Sequence, residues 1–80
     1  MQLLNIGYDG FVQKSKIIAI IAAGSSGSKR LKEEAREAKR LIDATHGHKA
    51  RSIIVTTGSV VILSAVETKT LKTRNIKEIN

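Results

Sequence analysis

Three β-branched and apolar runs dominate the chain: IIAIIAA at 17–23, RSIIVTT at 51–57 and VVILSAV at 60–66. Branching at Cβ restricts χ1 and suits a side chain to the pleated surface of a sheet. Each run is far shorter than the roughly 20 residues a helix needs to span a bilayer. The first run is nearly continuously apolar, as expected of a strand covered on both faces. The other two flank Gly58-Ser59 and read as a hairpin. Upstream, QLLNIG reads as a short strand. Asp9-Gly10 supplies a tight-turn signal, and FVQKSKIIAIIAA follows as a second, longer strand. Whatever else the chain does, it must build a sheet and cover it.

One segment has the opposite character. KRLKEEAREAKRL, residues 29–41, consists of strong helix formers with no glycine or proline. Ser25 or Ser28 in the preceding GSSGS loop can cap it, because a serine hydroxyl accepts from the free N–H groups of a first turn. At 100° per residue, Leu31, Ala35, Ala38 and Ile42 share a face that should pack on the sheet. Lys29, Lys32, Arg36 and Lys39 share an adjoining arc. That arc is either a basic stripe that follows a phosphate backbone or one flank of a solvated helix of alternating charge. ETKTLKTR, residues 67–74, predicts a short last helix with Thr68 as cap, and NIKEIN, residues 75–80, a tail. No repeat or linker interrupts the chain. The composite is α+β: a small, mostly antiparallel sheet, one principal helix and a short C-terminal helix, with a single domain over 1–74.

Eighty residues bury too little surface for comfortable stability as a monomer. With no cysteine, the remaining support is self-association. No signal-peptide pattern opens the chain, so the expectation is a cytoplasmic protein. Fourteen Lys and Arg against seven Asp and Glu give a net charge of +7, and the sequence pI is near 10.2. That is the electrostatic footprint of a polyanion binder. Tyr8 and Phe11 are the only aromatics, too few for the base-stacking platforms of single-strand readers.

The segment LIDATHGHKARSIIV carries the remaining chemistry. His46-Gly47-His48 has chelate spacing, but a catalytic zinc site takes three protein ligands and Asp43 is the sole nearby candidate for a third. The chain shows neither a nucleophile elbow nor a phosphate-binding P-loop. The expectation is therefore no metal, no cofactor and no catalysis. Gly47 marks a turn. Lys49 and Arg51 then alternate with Ala50 and Ser52, so the two cations point together and outward. His48 adds charge when protonated.

In this order and spacing, NIGYDG, KIIAIIA, KRLKEEAREAKRLIDATHGHKARSIIV and VVILSAVET resemble the RemA-type extracellular matrix regulator family over about residues 3 to 74. The resemblance implies a LytTR-like fold. It further implies assembly into ring-shaped homo-oligomers of about seven or eight subunits, and a nucleoid-associated regulator of biofilm-matrix genes that binds and bends double-stranded DNA. Relatives usually carry an arginine where Lys16 stands, and two arginines, a small residue and a third arginine where His48, Lys49, Ala50 and Arg51 stand. The DNA-binding set carried over is therefore Lys16, His48, Lys49 and Arg51, with Lys29 and Arg30 from the helix. Lysine is a point charge and histidine weaker still, where arginine would fork onto phosphate or guanine. A self-assembling interaction module and an RNA binder are the alternative readings.

Overall fold

The computed structural model describes residues 2–77. Strands β1 (Leu3–Gly7) and β2 (Gly10–Gln13) form a two-stranded antiparallel hairpin. Its two central turn residues are Tyr8 and Asp9, with φ of 51° and 63°, the left-handed pair that a primed hairpin turn requires. The expected Asp9-Gly10 pair is thus displaced by one residue. Gly7 is needed at the strand end instead: its φ is +94°, and a Cβ there would lie 2.9 Å from Val66 Cγ2.

The long second strand expected from FVQKSKIIAIIAA is broken. A 3-10 turn over Lys14–Lys16 separates β2 from β3 (Ile17–Ala22). Lys14 N–H closes the hairpin on the Gln2 carbonyl at 2.9 Å, while Thr57 N–H donates to the Lys16 carbonyl at 2.8 Å and opens the next sheet. The chain must step between layers here, because the hairpin lies on a face of the sheet to which β3 belongs.

That sheet has the order β3-β5-β6-β4, with β5 at Ser52–Thr56, β6 at Val61–Ser64 and β4 at Leu41–Asp43. The β5–β6 hairpin forms as expected, with Ile53 opposite Leu63 and Ile54 opposite Ile62. β3 pairs antiparallel with β5, and β4 pairs parallel with β6. Helix α1 (Ser26–Glu37) therefore carries the chain from one edge of the sheet to the other.

Period-2 alternation sorts the core into two clusters. Ile53, Val61 and Leu63 meet Ala35 of α1, with Leu31 and Leu41 packed alongside. Ile54 and Ile62 meet Leu4, Ile6 and Val12 of the hairpin and Leu71 of helix α2 (Thr68–Lys77). Buried serines on β5 and β6 are satisfied: Ser64 Oγ donates to the Ile6 carbonyl at 2.8 Å, and Ser52 Oγ donates to the Val66 carbonyl. These bonds tie the hairpin and the start of α2 to the sheet.

α1 ends sooner than its composition suggests. Ala38 is the C-cap, Lys39 has a φ of 60°, and the Lys39 and Arg40 amides donate to the carbonyls of Arg36 and Ala35 at 3.1 and 2.8 Å. This is a Schellman closure with lysine where glycine is usual. As a result Ala38 is exposed, and Ile42 lies not on the helix but on β4, 52% exposed. α2 runs longer than expected, through Asn75, Ile76 and Lys77; the rest of the expected tail, 78–80, lies outside the described residues. No helix among the described residues is long and apolar enough to cross a membrane.

Candidate nucleic-acid interface

Three segments converge at the end of the sheet where β5 begins: the N-terminus of α1, the β4–β5 loop and the start of α2. Ser25 is the α1 cap: its Oγ accepts from Ser28 N–H at 3.1 Å, and Ser28 Oγ donates back to the Ser25 carbonyl at 3.0 Å. This starts the helix at Ser26, three residues before the predicted run, and fixes where Lys29 and Lys32 emerge.

The β4–β5 loop is held by a polar knot. Asp43 Oδ1 accepts from Thr45 N–H at 2.9 Å and from Thr45 Oγ1 at 2.6 Å. The Thr45 hydroxyl, then its amide, hold the Asp43 carboxyl below the usual carboxylate range; partial desolvation opposes this, and His46 and Arg36 add to it. Thr45 also accepts from His48 N–H through its carbonyl at 3.0 Å. His46 and Gly47 then both take left-handed φ, 53° and 83°. Asp43 thus serves the turn, and among the described residues no three His, Asp or Glu side chains come together as a metal-ligand set.

The turn delivers both imidazoles to Tyr8. The Tyr8 ring stacks on His46 at 5.1 Å with a 21° interplanar angle, and on His48 at 4.9 Å with 11°. Such ring pairs contribute on the order of 0.5–1.5 kcal/mol. His48, a member of the expected DNA-binding set, is exposed and stacks its ring on Tyr8, a contact that anchors the loop carrying Lys49 and Arg51. Nothing local in the sequence marks this contact, since Tyr8 lies in the hairpin turn of a different layer.

Beyond the turn, the expected alternation appears. Lys49 and Arg51 are exposed, Ala50 is half-buried and Ser52 is buried. Lys49 and Arg51 border one shallow groove with Lys69 and Glu67. Arg51 Nη1 lies 3.6 Å from Glu67 Oε1, with both side chains more than half exposed. Lys49 also borders a second cavity with Lys29 and Lys32. The predicted helical stripe is therefore realised only in its first half. Arg36 turns to Glu33 at 2.9 Å, and Lys39 has left the helix. Arg30 is exposed on α1 and borders neither concavity.

Lys16 is elsewhere. It borders a different groove, with Phe11 and Gly58, at the far end of β3 and β5. Arg51 and Thr57, whose amide bonds Lys16, are six residues apart along an extended strand, about 20 Å. Within one chain, then, Lys29, Lys49 and Arg51 come together and Lys16 does not join them. Sequence reasoning left Lys69 and Glu67 out of the site. Each lies about sixteen to twenty residues from Lys49 and Arg51 in the chain, and only the packing of α2 beside β3 brings them back.

A small α+β domain with a basic end is the class defined by this geometry. A family profile described as "Extracellular matrix regulatory protein A-like" (RemA-like) matches residues 3–74, and the chain belongs to that family. It is 51% identical over 78 residues to a protein of Thermodesulfovibrio yellowstonii, covering 98% of this chain and 91% of that one. It is 47% identical over 79 residues to a protein of Oleidesulfovibrio alaskensis, covering 99% and 94%, and 43% identical over 77 residues to one of Fervidobacterium nodosum, covering 96% and 83%. Each of these relatives bears the name "putative regulatory protein".

Proposed function

We propose that this protein is a DNA-binding regulator: a ring-shaped homo-oligomer, LytTR-like in fold, that binds and bends duplex DNA in the cytoplasm and controls biofilm-matrix-type genes. The carrying observation is the convergence of Lys49 and Arg51, from one anchored loop, with Lys29 of α1 and Lys69 of α2 on a chain of net charge +7. Family membership and the regulatory names of relatives support the same reading.

The surface also favours assembly. Among the described residues β3 and β4 are the opposite edges of the sheet, each paired on its inner side alone, and each exposes an isoleucine: Ile18 at 63% and Ile42 at 52%. Exposed apolar edges invite pairing with another chain. A contact between two different edges is heterologous, and it closes into a ring when the rotation permits. A ring repeats the cations, so weak contacts per subunit add into useful avidity along a bent duplex. Lys16, remote from Lys49 and Arg51 in one chain, contributes only through such repetition. Phosphate contacts dominate, and each one neutralised adds about −0.9 to the slope of log K against log salt.

Duplex DNA binding measured across a salt series, with particle mass from light scattering, tests the proposal. A large homo-oligomer whose affinity falls with salt, and falls further in Lys49→Ala and Arg51→Ala, is the expected result. A monomer, or an affinity indifferent to both substitutions, overturns it. Tighter binding to structured RNA than to the duplex replaces DNA with RNA as the partner.

A further inference from the structure

The cavity between α1 and the sheet adjoins the open groove at Arg51, with Ala23, Lys49 and Ala50 lining both. Its volume is about 220 Å³, and Ile53 and Leu63 form its apolar wall while Lys29, Lys32 and Lys49 rim it. The wall is core: Ile53 and Leu63 are 2% and 5% exposed. Three lysines border one small, mostly apolar concavity, and no carboxylate residue is among those that line it. Glu33, one turn from Lys29 and the natural i,i+4 partner, is engaged by Arg36 at 2.9 Å. Among the described residues none of the three side-chain ammonium groups has a hydrogen-bond or ion-pair partner. Gly24 and Ser28 also line the cavity, which places the positive end of the twelve-residue α1 dipole beside the same charges.

We propose that this cavity binds a small organic phosphate with an apolar body. The phosphate would lie among Lys29, Lys32 and Lys49, and the apolar part would lie on Ile53 and Leu63. The volume sits just below the range of about 300–1,000 Å³ for drug-sized ligands, which restricts the occupant to a ring or short chain bearing one phosphate. The site stands on the cavity and its charges. Its consequence for DNA, competition for Lys29 and Lys49, rests on the DNA-binding reading.

Phenyl phosphate is a suitable probe, titrated into the full-length protein without DNA at constant ionic strength, with inorganic phosphate in parallel. Calorimetry gives the affinity, and the methyl NMR signals of Ile53 and Leu63 report the location. The expected result is saturable binding that moves both methyl signals. Burial of the ring should make it about tenfold tighter than inorganic phosphate. Lys32→Gln, outside the residues assigned to DNA, should weaken phenyl phosphate severalfold while the far-UV circular dichroism stays unchanged. No saturation, unmoved Ile53 and Leu63 signals, equal affinity for the two phosphates, or a Lys32→Gln chain that binds like the parent overturns the proposal. Because no DNA is present, any of these failures leaves the DNA reading untouched, and failure of DNA binding leaves the cavity's ligand to be judged by this titration.

Discussion

Glu67 lies beside Arg51 and competes with a phosphate for its guanidinium, and this makes Glu67→Gln the most informative single change. The Arg51–Glu67 separation is 3.6 Å, with side chains 53% and 62% exposed. At that exposure the high-dielectric limit applies, and such pairs are worth about 0.2–1 kcal/mol after side-chain entropy and screening. Freeing Arg51 should therefore tighten each subunit's contact with DNA by up to about fivefold, and removal of a carboxylate from beside the phosphates adds in the same direction. In a ring, several subunits touch one duplex and the gain multiplies. Fluorescence anisotropy against a labelled duplex, from low to moderate salt, is the assay. Glu67→Gln should raise affinity, Arg51→Ala should lower it and flatten the salt slope by about 0.9 per engaged subunit, and the double variant should lose most of the Glu67→Gln gain. An undiminished gain in the Arg51→Ala background would show that Glu67 acts through bulk charge alone and would refute the pairing argument. Glu67 also precedes α2, where a negative side chain favours the helix dipole, so Glu67→Gln should cost about 0.3–1 kcal/mol of stability.

Two further outcomes concern the turns that build the site. Lys39→Gly should stabilise the fold by about 0.5–1 kcal/mol, seen as a higher denaturation midpoint, because Lys39 holds a left-handed φ of 60° at the end of α1 that glycine adopts without strain. Thr45→Val removes the 2.6 Å bond to Asp43 Oδ1 and should destabilise by on the order of 1 kcal/mol at neutral pH. The pH dependence has a definite sign. The folded-state Asp43 carboxyl is held below its unfolded value of 3.8, so its contribution is present above that value and is lost as pH falls through the depressed folded value. In Thr45→Val the depression shrinks, and acid titration followed by circular dichroism should show less stability lost across that window than in the parent.

The elements were largely legible because their patterns are local. The β-branched runs at Ile53–Val55 and Val61–Leu63 alternate faces by geometry alone, and the Gly58-Ser59 interruption required a hairpin. The helical run around Leu31 and Ala35 carried its own 3.6-residue stripe. The misreadings fall where a residue answered to a distant neighbour. Tyr8 and Asp9, not the expected Asp9-Gly10, hold the centre of the first hairpin turn, and Gly7 admits Val66 beside it. Lys39 ends α1 through backbone bonds that no propensity scale assigns to lysine. The step at Lys14–Lys16 exists because two layers must be joined.

The sequence alone determined that a sheet forms, that the chain carries a net charge of +7, and that Lys49 and Arg51 project from the same side of the chain. Only the tertiary structure decided which distant groups meet. It stacked Tyr8 on His46 and His48, set Glu67 against Arg51, turned Lys29 and Lys32 toward Lys49, and kept Lys16 at the opposite end. The physical reason is that side-chain periodicity fixes the face a residue occupies within its own element. Which faces meet is set by the closure of layers, through burial of Ile54, Ile62 and Leu71 on one side of the sheet and of Ala35, Ile53 and Leu63 on the other.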